Sequence, residues 1–509
     1  MAKNVDSKGK DIYKDYTLTE NLMDNIKIFQ EIFKDDGMFR YRICKNSENP
    51  DIMCCAIFID GMTNSVGVSE NIIKPLVEAK GIKWNSKVQD NIREIYKKVL
   101  YASRVQHSND IKEIVESIIY GDTLLMAQGS KEVLIIDLKG WETRSPTEPE
   151  NEKTMRGPRE GFTEAFLKNT SFIRRRLRTP DLKFKLIKIG TRTNTQVCLC
   201  YLDTLVNPKV LARLEDKLKN IEIDGILDTN YLDELTKDNP YTPLKTSGVT
   251  ERPDIVAGKL LEGRIAVIVD GSPSVMTVPY FFIENLQTDD DYYINYFFAG
   301  ACRLIRILSL MITIVVPALY IALVAFHKEM IPINLALSIS EARQGVPLPI
   351  VVECLVMLLV FEILRESGMR IPSNVGTALS IVGAIVIGQA AVDAKFVSAP
   401  MVIVVSVTGI TGLMAAKMKG AVIIYRTFLV IMASVLGMYG LIVGLILIVA
   451  HTVSLTSFGV KYTSYLDAYK VQEMKDIYVR YPWWKMLTRP RNVSTNLVRQ
   501  SNTKEGGDI

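Results

Sequence analysis

Two carboxylates in an otherwise apolar stretch are the residues best placed to do chemistry: Glu353 and Glu362, in IVVECLVMLLVFEILRES from Ile350 to Ser367. An ionised carboxylate in lipid costs several kcal/mol, roughly 2.5 or more at the centre, so each must face protein or water. At about 100° per residue they point to opposite sides of an ideal helix, and so do not line one wall of a simple pore. Glu353 is either functional, or a carboxyl hydrogen-bonded to a neighbouring helix or lying near an interface. Glu362 lies within a turn of Arg365 and Glu366, where an interfacial ion pair is the ordinary alternative. Glu353, Glu362, Glu366 and Arg343 are the candidate pore or gating residues. Catalysis gains no support, because dinucleotide, Walker A, nucleophile-elbow and H-E-x-x-H motifs are absent. The seven cysteines include Cys54-Cys55 and Cys198-x-Cys200, neither with zinc spacing, and there are three histidines. Buried reduced thiols are expected, with Cys198 and Cys200 on one strand face, and no catalytic residue, cofactor or metal.

The elements that position the carboxylates follow from a division that the average composition hides. The chain has 509 residues, 48% hydrophobic, with a net charge of +5. Before about residue 300 it is mixed and charged; from Ile307 to His451 it is dominated by Ile, Val, Leu, Ala and Gly. The start, MAKNVDSKGKDIYKDYTLTE, is polar and reads as no secretory signal, so the first part is expected on the cytoplasmic side. There, short β-branched runs alternate with charged helical stretches, an α/β pattern. Short polar turns at Gln128 to Lys131 and Arg192 to Thr195 predict antiparallel hairpins. Two small mixed subdomains are expected, residues 1–145 and 146–300, with a linker at 144–162 (RSPTEPENEKTMRGPREGF) between them. The Asp-Gly pairs at 60, 224 and 270 read as turns. Arg174, Arg175, Arg176 and Arg178 read as a solvated helix face or an intersubunit salt-bridge site, not a nucleic-acid surface.

Residues 301–455 read as a polytopic α-helical membrane domain of four to six crossings, followed by a basic cytoplasmic tail, 456–509. The apolar segments are Ile307 to Phe326, Leu348 to Leu364, Val375 to Val392, Val397 to Ala416 and Thr427 to His451. Arg303 and Arg306 favour a cytoplasmic start for the first, and the connections holding Arg365 and Arg370, and Lys417, Lys419 and Arg426, fall on that same side. Five crossings would then put the tail outside, against its Lys, Arg and Trp483-Trp484 content. Either one segment is re-entrant or the stretch from Ala421 to His451, interrupted at Gly437, holds two passes. Ser380, Ala384 and Gly388 form a small-residue stripe for helix packing or, equally, reflect ordinary membrane-helix composition. Secondary transport would call for paired broken helices in an inverted repeat, and no clear internal repeat is found.

Three stretches resemble the A subunits of GerA-type spore germinant receptors: MRGPREGF from Met155 to Phe162; EARQGVPLP from Glu341 to Pro349 with FEILRESGMRIP from Phe361 to Pro372; and SIVGAIVIGQAAV from Ser380 to Val392. The likeness covers most of the chain after about residue 50. It departs from the family's usual pattern at Ser373, Asn374 and Thr377, and at Asp393, Ala394 and Lys395. The resemblance implies a multi-pass protein of the spore inner membrane, with its N-terminal domain and tail on the spore-core side. It implies assembly with a B-type membrane subunit and a C-type lipoprotein subunit, and oligomerisation into a ligand-gated ion channel that acts in germination. Arg156, Gly157, Pro158, Arg159 and Glu160 are then a candidate assembly loop. A related protein of the SpoVA operon, amplifying ion release, is the alternative that gene neighbours would separate.

Overall fold

The computed structural model describes residues 13, 16–80, 91–100, 104–140, 152, 156–370, 388–464, 475–490 and 492–499. Two five-stranded sheets build the first half, and every neighbouring pair in them is antiparallel. The first comprises β1 (Phe39–Lys45), β2 (Met53–Ile59), β3 (Val105–Ser108), β4 (Thr123–Ala127) and β5 (Val133–Ile136), in the order β1-β2-β4-β5-β3. The second comprises β6 (Leu182–Ile189), β7 (Thr195–Leu202), β8 (Gly248–Thr250), β9 (Ile265–Val269) and β10 (Val275–Val278), in the order β6-β7-β9-β10-β8. Both expected hairpins are present, β4-β5 and β6-β7.

The two orders are the same order, and the match extends to single hydrogen bonds. Helix α1 (Leu22–Ile32) leads into β1, and helix α2 (Ile111–Ile119) precedes β4. Helix α3 (Phe166–Arg176) leads into β6, and helix α5 (Pro253–Leu261) precedes β9, after helix α4 (Pro208–Lys219). Ahead of α1, buried Asn25 accepts from Thr19 N (2.8 Å) and donates to Thr19 O (2.8 Å). Ahead of α3, buried Asn169 does the same with Thr163 (2.9 and 2.5 Å). Gly129 N donates to Glu20 O (2.8 Å) and Gly271 N to Glu164 O (3.1 Å). The soluble half is therefore two copies of one topology. The shared residues are few, chiefly Thr19-Glu20 with Thr163-Glu164, Asn64 with Asn207 and Gly129-Ser130 with Gly271-Ser272, which is why no repeat is visible in the sequence.

The copies pack through helices between them. Alternation on β7 turns Cys198 and Cys200 to the shared core with Phe184, Ile57 and Met126, and turns Val197 and Leu199 to the opposite core with Val210 and Leu214. All seven cysteines are unbridged, and burial pushes the Cys198 and Cys200 thiols up. Arg174 departs from the expected solvated face: it is 1% exposed and pairs with buried Asp36 of the first copy at 2.5 Å. A buried pair needs close geometry to offset desolvation, and here it also ties the copies together.

Beyond β10 the chain leaves the second sheet and enters the helical half. Helix α6 (Tyr296–Ile321) runs on through a wider turn to Phe326, and is followed by α7 (Ile333–Ala342), α8 (Ile350–Arg370), α9 (Ala399–Leu413) and α10 (Lys419–Ser454). By length and composition, Tyr296–Phe326 and Ala416–Ser454 are long and apolar enough to cross a membrane. Helix α10 is bent double. Gly437 takes φ 59° and ψ −136°, and a Cβ on Gly440 would lie 2.0 Å from Met432 O. The ring centroids of Tyr425 and His451 lie 6.5 Å apart, where a straight helix would separate them by about 39 Å. Only glycine permits both the turn and the approach. The arms, Lys419 to Leu436 and Met438 to Ser454, are each about 26 Å long at 1.5 Å per residue.

Contacts orient the bundle. At the near end Lys417 Nζ donates to Gln287 O (2.9 Å), and the His451 ring meets the Thr242 hydroxyl (3.1 Å). At the far end the Gly437 turn lies against Phe326 and His327. Arg303 joins the near end to the rest through Asp291 (2.9 Å) and Asp476 (2.8 Å), with Arg306 on Asp291.

Candidate functional site

Helix α8 holds the two acids of the apolar stretch, and α8 spans the bundle from far end to near end. Glu353, in its first turn, is fully buried. One carboxylate oxygen accepts from Arg343 Nη1 at 2.8 Å. The other accepts from Ser398 N (2.7 Å) and Ser398 Oγ (2.6 Å). Arg343 is the C-cap of α7 and Ser398 the N-cap of α9. Glu353 thus binds three segments at the far end, and its charge is met by one cation and two neutral donors, the arrangement that makes a buried carboxylate tolerable.

Glu362 faces other partners, as the helical spacing requires. It forms an ion pair with Arg365 Nη2 (2.5 Å) and accepts from Arg426 Nη2 (2.9 Å), and Arg426 is 2% exposed. The interfacial pair with Arg365 is present, but a second arginine from the first arm of α10 makes it an interhelical cluster of net charge +1. Arg426, expected in a connecting loop, lies inside α10. Its signal was the missing neutral partner, since a cation seven residues inside a helix must find an acid. Glu366 pairs with Lys419 at 3.4 Å at the near end. Ser398 has no charge to mark it and was not foreseen.

Of the small-residue stripe, Ser380 and Ala384 lie outside the described residues. Gly388 is buried, with Val402 of α9 3.8 Å from where its Cβ would be. The candidate assembly loop is bound within the chain on one side. Gly157 lies against the Tyr293 ring, Pro158 O accepts from Arg252 (3.5 Å), and Glu160 takes Arg175 (3.3 Å) and Arg176 (2.6 Å). Arg156 and Arg159 are exposed.

The tail forms a separate feature. Residues 475–490 and 492–499 run back along the second copy: Arg489 Nε donates to Leu261 O (2.7 Å), Thr495 N to Leu205 O (3.1 Å), and Arg499 reaches Glu262 (3.4 Å). Burial opposes ionisation of Glu262, but Lys259, Arg264 and Arg499 outweigh it and hold the carboxyl down at about 2. Trp483 and Trp484 pack on Tyr292 (5.9 Å) and Tyr296 (5.8 Å) at the start of the bundle.

Comparison with known proteins adds four findings. Residues 27–492 match the family described as Bacillus/Clostridium GerA spore germination protein. Spore germination protein KA of Bacillus subtilis (strain 168) is 40% identical over 469 residues, covering 92% of this chain and 85% of that protein. The membrane protein YfkQ of the same strain is 39% identical over 440 residues, covering 86% and 85%. Among solved structures, the N-terminal domain of the A subunit of the Bacillus megaterium spore germinant receptor GerK3 aligns with 29% identity and a TM-score of 0.42, over 52% of this chain and 98% of that domain.

Proposed function

This chain belongs to the GerA spore germination protein family, and from that premise we propose that it is a membrane subunit of a nutrient germinant receptor, oligomerising into a ligand-gated ion channel in the spore inner membrane. The observation that supports this reading best is the pair of ionic clusters on α8, fully buried Glu353 with Arg343 and Ser398, and partly buried Glu362 with Arg365 and Arg426. A helix held at both ends by charged contacts has discrete alternatives to its resting packing, because breaking either cluster strands a charge in a low-dielectric bundle. Gating would exchange those partners, with Glu353, Glu362, Glu366 and Arg343 as the residues concerned. Ser380, Ala384 and Gly388 would supply close helix packing, and Arg156 to Glu160 a surface for the B-type and C-type partners.

Six crossings fit the geometry. The first helix leads away from the soluble half, α8 returns, the apolar run expected at Val375 to Val392 would lead away again, α9 returns, and the two arms of α10 go and come back, leaving the tail on the side of the soluble half. Glu353→Gln keeps the hydrogen-bonding shape and leaves Arg343 without its counter-charge. In spores carrying the variant at normal protein level, nutrient-triggered ion release should slow about tenfold, equivalent to about 1.4 kcal/mol. Release at the wild-type rate would exclude Glu353 from gating.

A further inference from the structure

A cavity of about 280 Å³ opens at the far end of the bundle, between the end of the first helix, α7 and the start of α8. Its inner wall is apolar, formed by the buried side chains of Val324, Ile339 and Ile350. Its polar lining is Lys328, Ser340 and Arg343, and among the described residues no carboxylate lines it. Glu353 occupies Arg343 Nη1, and a guanidinium carries five donors in a fixed fork, so donors are left for a further acceptor beside Glu353 and the neighbouring Tyr320 hydroxyl. Lys328, exposed at the mouth, adds a second cation.

We propose that this cavity is a binding site for the phosphate headgroup of an anionic phospholipid in the leaflet farther from the soluble half. This rests on the membrane-spanning reading above. Two cations and a hydroxyl over an apolar floor select an amphiphilic anion over a neutral one. The volume, about 280 Å³, lies just below the range of ligand pockets, roughly 300–1,000 Å³, so it takes a headgroup and leaves the acyl chains outside. The exposed side chains nearby suit such chains: Met330 is 63% exposed, Ile333 75% and Leu337 62%. A free anion such as inorganic phosphate would need no apolar surround. The level is also appropriate, since Lys328 lies two residues beyond Phe326, where the apolar run ends. Because Arg343 holds both Glu353 and the cavity, an occupied site would fix the far-end contact of α8, giving lipid composition a direct hold on the proposed gate.

The test uses the full chain reconstituted in nanodiscs of phosphatidylcholine with or without phosphatidylglycerol, with retained lipid counted by native mass spectrometry. Wild type should keep phosphatidylglycerol in preference to phosphatidylcholine, and an excess of inorganic phosphate should not displace it. Lys328→Gln should weaken retention about fivefold, the effect of about 1 kcal/mol per cation. Ala336→Leu, which fills the cavity without touching a charge, should reduce retention while leaving the Lys328 mouth intact. Equal retention of the two lipids, displacement by phosphate, or variants indistinguishable from wild type would each overturn the proposal. Alkaline extraction of the host membranes separates the two readings. A chain that stays in the membrane yet shows no lipid preference defeats the cavity alone, and a chain that is released defeats both.

Discussion

The two copies in the soluble half have one topology and opposite fates at their last strand. After β5 the chain stays with the first copy: Lys139 bridges Thr63, and Gly140 N donates to Met62 O (3.1 Å), which closes the edge beside the Asn64 helix cap. After β10 the chain departs for the bundle, so the corresponding edge beside Asn207 would stand open. It is closed by the C-terminal tail, where Ser494 bridges Val206 and Thr495 N bonds Leu205 O. The difference teaches what the tail is for. The second copy is complete only when the chain has passed through the helical half and returned, so its folding is coupled to that of the bundle, whereas the first copy closes on itself.

The largest way to break this comparison is Arg303→Met. Removing one partner of a buried ion pair costs about 3 kcal/mol at the lower end of the usual range, which applies here because Arg306 still answers Asp291 and Asp476 is partly exposed. Hydrogen exchange on the full chain in detergent should show protection lost from the second copy and residues 475–499, with β1 to β5 unchanged; equal loss in both copies would show that the tail is not what distinguishes them. Asn25→Ala and Asn169→Ala sharpen the likeness instead. Each strands the same two backbone groups, so each should cost about 1–3 kcal/mol, read as raised exchange at α1 in one variant and at α3 in the other. A difference of more than about 2 kcal/mol between them would mean the copies are not energetically equivalent there.

The smallest effect is on pH. Glu262 has its carboxyl lowered from 4.5 to about 2 in the folded chain. A depressed carboxylate contributes stability that is present above the unfolded value and lost as pH falls. Tail docking should therefore weaken progressively from pH 4.5 to 2, followed by fluorescence of Trp483 and Trp484, while Glu262→Gln should flatten that dependence.

Sequence pattern made several parts of this legible. The division near residue 300 is legible because an apolar helical bundle and a charged α/β half demand different compositions, and the hairpins β4-β5 and β6-β7 because their turns are short and polar. The opposite facing of Glu353 and Glu362 follows from helical pitch alone. The partners do not: Glu353 meets Ser398 across 45 residues and Glu362 meets Arg426 across 64. Arg174 looked like part of a solvated run because three of its neighbours are arginines, and only its distant contact with Asp36 buries it.

The sequence by itself determined the division into a charged and an apolar half, the α/β character of the first, the membership of a family and the acids that had to be answered. These depend on composition and on periodicities within one element. Tertiary structure alone decided the duplication, the bent-double α10 and the tail's return to the second copy. Each of these depends on which surfaces meet across long separations, and one glycine turn or one strand edge left open carries little local signal. The reversal at Gly437, a matter of one residue's backbone conformation, is of the same kind.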